Sequence, residues 1–119
     1  MSERSLRTAG VALALVAGAI HVALSLSNLI PGETTTTPAF ALMGLGFLGC
    51  AALAAFARGD LLVVIPVYSV SLILAWAFTR GEYPVEIYGI VTKLAEVGLA
   101  IVGFLLFRRP ATRVDLAAR

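Results

Sequence analysis

The chain has 119 residues, enough for one small domain, and 60% of them are hydrophobic while only 13% are charged. A soluble domain carries about 25% charged residues on its surface, so this composition excludes an ordinary water-soluble fold and points to a lipid environment. A net charge of +2, a single cysteine (Cys50) and a single histidine (His21) exclude an intrachain disulfide, a Cys or His metal cluster and a nucleic-acid-binding basic face.

Arg4 and Arg7 precede an uncharged run over 8–30. A basic start followed by an apolar run is also the pattern of a signal peptide. This run exceeds the roughly 7–15 residues of a signal core, so it reads as a first transmembrane helix. Pro31 and Gly32 end it. Glu33 and Thr34 to Thr37 form a polar loop, and Thr37-Pro38 is a helix-start signal. The second span covers 38–56. In it Gly46, Cys50 and Ala54 recur every four residues and predict a small-residue packing face.

Ala57-Arg58-Gly59-Asp60 reads as a tight turn, with Asp60 as the cap of a third span over 61–79. Pro66 lies inside that span and predicts a kink that frees the Leu62 carbonyl. The fourth span, 85–107, opens after Pro84 with Glu86 at the positive end of the helix dipole. Arg108, Arg109 and Pro110 close it, and 110–119 form a tail. The fold expected is all-α: a four-helix transmembrane bundle, up-down-up-down, in one membrane domain over 1–119.

Basic residues set the expected orientation. Arg4, Arg7, Arg58, Arg108, Arg109, Arg113 and Arg119 fall on one side and Arg80 alone on the other. The positive-inside rule then puts both termini in the cytoplasm of a multi-pass cell-membrane protein. Phe40, Trp76, Phe78, Tyr83 and Tyr88 fit an outer aromatic belt, with Trp76 read as an interface anchor.

The fourth span carries Lys93 and Glu96, charges that cost about 2.5–3.5 kcal/mol each at the centre of a bilayer. By the 1.5 Å rise per residue, His21 lies level with them, roughly 13 Å below the outer end of its span. Gly10, Ala14, Gly18, His21, Ser25 and Asn28 share one helix face. Gly89, Lys93, Glu96, Ala100 and Gly103 share another. The candidate site is therefore the polar cluster His21, Asn28, Lys93 and Glu96, opening outward, with hydroxyls from Tyr68, Ser69 and Ser71 nearby. The structural alternative is that Lys93 snorkels outward, Glu96 is neutralised by it at i, i+3, and His21 bonds a carbonyl.

The sequence has no nucleophile–base set, glycine-rich phosphate loop or metal-ligand spacing. The expectation is a non-enzyme without a cofactor or metal. Its partners are the lipid bilayer and either further copies of itself or a larger membrane complex, with no nucleic acid. The first functional reading is an accessory or interaction subunit. The second is a small transporter or channel that uses the Lys93/Glu96/His21 cluster. A third, weaker reading is a haem- or quinone-binding protein with His21 as ligand. Small multidrug antiporters carry an essential acid in their first helix. The span 8–30 has none, and the two halves show no convincing repeat.

The stretches Ala19-Ile20-His21-Val22-Ala23-Leu24, Leu42-Met43-Gly44-Leu45-Gly46-Phe47-Leu48-Gly49 and Thr92-Lys93-Leu94-Ala95-Glu96, with the Pro/Thr loop, resemble small four-helix membrane proteins of halophilic archaea that have no assigned function. In outline the chain is also similar to DoxX-like proteins. The resemblance implies fold and membrane location, not chemistry.

Overall fold

A computed structural model of the chain describes residues 1–26, 38–79 and 87–110. Helix α1 spans Glu3–Leu26, α2 Pro38–Phe56, α3 Val64–Thr79 and α4 Ile87–Phe107, and a 3-10 helix, Gly59–Val63, leads into α3. The protein is an all-α bundle of these four helices. Each is long and apolar enough to cross a membrane, α3 together with its 3-10 lead.

The ends have local causes. Helix α1 begins at Glu3, ahead of the apolar run, because the Ser2 hydroxyl accepts the Ser5 amide at 3.0 Å and Glu3 pairs with Arg7 at 2.8 Å. Pro38 is the first residue of α2, where its missing N–H costs nothing. Thr37, the Pro31–Gly32 stop and Glu86 lie outside the described residues.

Two sequence expectations are corrected here. Asp60 does not cap: the N-cap of the 3-10 helix is Arg58, with no side-chain cap bond, and Asp60 lies in the first turn. Gly59 takes a positive φ of 60°, and that glycine makes the corner. Pro66 does not lie inside a long α-helix. The α-helix begins at Val64, so Pro66 sits in its first turn. The 3-10 stretch absorbs the irregularity that a mid-helix proline would otherwise impose.

Neighbouring helices run antiparallel. Helix α1 packs most extensively on α2 and next on α4; α4 also packs on α3, whereas α2 and α3 touch little. The α1–α2 crossing is set by glycine. A Cβ on Gly44 would meet Val22 Cγ2 at 2.6 Å and the Gly18 carbonyl at 3.0 Å, and one on Gly10 would meet Ala54 Cβ at 3.1 Å. The predicted face of Gly46, Cys50 and Ala54 is thus partly displaced. Cys50 and Ala54 are buried against the core, but the glycine at the α1 contact is Gly44. Gly46 instead makes the notch that admits Tyr68, whose hydroxyl donates to the Met43 carbonyl at 2.8 Å. On the other side, a Cβ on Gly103 would strike Ile65 and Pro66 at 2.7 and 2.8 Å. Small side chains at these crossings let backbones approach, which is how helices gain packing in lipid.

Candidate functional site

The α1–α4 seam carries the polar groups. His21 and Glu96 are both buried, at 5% and 0% exposure, and Lys93 is half-buried. Lys93 Nζ donates to Glu96 Oε2 at 2.6 Å, one helical turn away. His21 Nε2 lies 3.8 Å from Glu96 Oε1. On its other side the ring is tethered to α1, with Nδ1 2.8 Å from the Ala17 carbonyl.

The backbone geometry explains the meeting. Gly10 and Gly98 are the small positions through which α1 and α4 approach: a Cβ on Gly98 would meet Leu13 at 3.1 Å, and one on Gly10 would meet Val102 at 3.4 Å. That proximity brings two side chains at matching depth into contact. Glu96 is the tenth residue of a 21-residue helix, so it sits near mid-length, about 14 Å from the helix start at 1.5 Å per residue.

Aromatic rings flank the site. The His21 ring stacks obliquely with Phe40 and Phe47, at centroid separations of 6.1 and 5.2 Å. Phe47 in turn meets Tyr68 edge-on at 5.1 Å. The Lys93 ammonium lies 5.7 Å from the centre of the Trp76 ring. The Trp76 ring thus stabilises the cation, a contact beyond the anchoring expected from the sequence. The Lys93 ammonium is committed inward to Glu96 and Trp76, which leaves snorkelling outward unsupported.

Of the four cluster residues proposed from the sequence, His21, Lys93 and Glu96 come together, and Asn28 lies outside the described residues. The surrounding hydroxyls divide. Ser25 donates to Val22 O at 2.6 Å and Ser71 to Val67 O at 2.7 Å, each within its own helix. Tyr68 is spent on Met43. Ser69 is fully buried, and its Oγ has no hydrogen-bond partner among the described residues. Glu96 Oε1 shares that condition. No group of three His, Cys, Asp or Glu side chains able to hold a metal occurs among the described residues.

Phe40 and Phe47 were not among the sequence candidates. Their signal was the spacing Phe40, Gly44, Phe47, Ala51, Ala54, which keeps one side of α2 toward α1. In a helix that is apolar all round, that stripe has no polar contrast to reveal it.

The family model described as "Family of unknown function (DUF7475)" matches residues 1–107, which contain all four helices and the three cluster residues. The chain belongs to DUF7475. No curated protein and no solved structure matches it. Membership in DUF7475 agrees with the resemblance to a family without an assigned function. The halophilic-archaeal and DoxX-like parts of that resemblance rest on the quoted residues alone.

Proposed function

We propose that this chain is a multi-pass membrane protein that serves as a small interaction subunit, without catalytic activity or a resident cofactor. The observation that carries the reading is the meeting of the triad across the α1–α4 seam. Lys93 pairs with Glu96, His21 faces the same carboxylate from α1, and Phe40, Phe47 and Trp76 pack on them, so the polar cluster fixes helix register in the bundle. Helix α3, by contrast, buries only Ile65 and Ser69, leaving its apolar surface for lipid or for a second membrane helix. The arginine distribution favours cytoplasmic termini. Native mass spectrometry of tagged protein extracted in mild detergent tests the proposal. Foreign subunits or a defined homo-oligomer support it, and a bare monomer in every mild detergent counts against it.

One observation favours a second reading, a small transporter or channel. Glu96 Oε1 is buried, lacks a hydrogen-bond partner among the described residues and faces an imidazole nitrogen. Buried ionisable groups of this kind mark proton and ion pathways in many membrane proteins. In that reading Glu96 exchanges the proton, Lys93 tunes it, and His21 with Asn28 receives the cargo. Reconstitution in liposomes tests it: pH-dependent flux that Glu96→Gln abolishes in a folded protein supports transport, and the absence of flux in the wild type removes it.

A further inference from the structure

The hydrogen-bond inventory around His21 leaves one unmatched contact. The Ala17 carbonyl can only accept, so Nδ1, 2.8 Å away, carries a hydrogen. In a neutral imidazole this makes Nε2 a lone pair. Nε2 faces Glu96 Oε1 at 3.8 Å, and the other carboxylate oxygen already accepts from Lys93 at 2.6 Å. Oε1 has no donor among the described residues. Two acceptors thus face each other across the α1–α4 seam. A bridging water fits poorly, because two bonds of about 2.8 Å at a water's angle hold their acceptors more than about 4 Å apart. One proton fits, with the seam closing by about 1 Å to reach hydrogen-bonding distance.

We infer that His21 and Glu96 share one proton across the α1–α4 seam, which makes the Lys93–Glu96–His21 triad a proton-binding site that carries one excess positive charge. The balance is simple. The Lys93 ammonium and the Glu96 carboxylate cancel, and the added proton bonds Nε2 to Oε1, whichever atom holds it. The surroundings suit a cation: the Phe40 and Phe47 rings flank His21, and the Trp76 ring lies over Lys93. No other charged side chain of the described helices lies near. From α2 the only titratable group is Cys50, and from α3 only Tyr68, which donates to Met43 O. Along α1 the others are Glu3, Arg4 and Arg7 at the opposite end, and along α4 only Tyr88. Loss of the proton leaves two facing acceptors and weakens the α1–α4 contact at this depth.

This inference deepens the second reading above and rests on it only for any coupling to transport. The test is nitrogen NMR of full-length protein labelled with 15N-histidine in lipid nanodiscs. The chain has one histidine, so the signals belong to His21 alone. Between about pH 6 and about pH 8, Nε2 should resonate as a protonated or strongly hydrogen-bonded nitrogen. Glu96→Met, which offers no hydrogen bond, should shift it to a bare lone pair. A bare Nε2 in the wild type throughout that range overturns the inference, and this spectrum decides even where the variant does not fold. A bound proton without any flux in liposomes leaves the site standing and removes transport. Flux with a bare Nε2 removes the site and assigns transport to other groups.

Discussion

The guanidinium of Arg7 donates to the carbonyl oxygens of Ala54 at 2.9 Å and Ala57 at 3.1 Å. An arginine near the start of α1 thus closes the last turn of α2, whose terminal carbonyls have no helical partners. A cation there also suits the negative end of the α2 dipole.

Replacing Arg7 with Ala should cost about 1–2 kcal/mol, the range for charge-assisted bonds reduced for partial exposure. Arg7→Lys should recover only part of this, because a single ammonium cannot serve both carbonyls in the fork geometry of a guanidinium. Hydrogen exchange offers a local check. The Ala57 amide, which donates to Leu53 O at 2.8 Å, should exchange faster in Arg7→Ala. Unchanged protection there would show that the cap does not hold the α2 end.

The α1–α2 crossing predicts a sharp contrast between two glycines of one helix. Gly44→Ala introduces a methyl 2.6 Å from Val22 Cγ2 and 3.0 Å from the Gly18 carbonyl, whereas Gly49→Ala points into open space. The first should destabilise by about 1–3 kcal/mol and the second by almost nothing. Unfolding by SDS titration, followed by circular dichroism, compares them directly. Equal midpoints would contradict the close approach.

The buried ion pair predicts non-additivity. Lys93→Met alone takes the ammonium from the buried Glu96 carboxylate, at a cost of about 3–5 kcal/mol. Pairing it with Glu96→Leu removes both charges and should restore most of that loss. The same SDS titration measures the double-mutant cycle. Additive losses would mean that the two side chains do not depend on one another.

Topology is open to chemical labelling. In a Cys50→Ala background, a membrane-impermeant maleimide should modify Thr35→Cys in intact cells. It should modify Ser2→Cys only after permeabilisation. The reverse pattern would invert the proposed orientation.

The sequence by itself determined the class of this protein. Four apolar runs separated by Gly, Pro and charge are each long enough to cross a bilayer as a helix, which pairs its own backbone groups. It also singled out His21, Lys93 and Glu96, because ionisable residues are so costly in apolar helices that each stands out. Depth counting at a fixed rise then placed them level. Only the tertiary structure decided the rest. The Gly18–Gly44 contact, the Tyr68 notch at Gly46 and the rings around His21 lie on faces that are apolar all round, where periodicity carries no contrast. The role of Arg7 as an α2 cap, and the 3-10 lead that accommodates Pro66, depend on which helix ends meet, and sequence spacing does not encode that. The unmatched contact between His21 Nε2 and Glu96 Oε1 belongs to this second kind. A residue's depth follows from its position along one helix, but the atom it faces is set by the rotation of two.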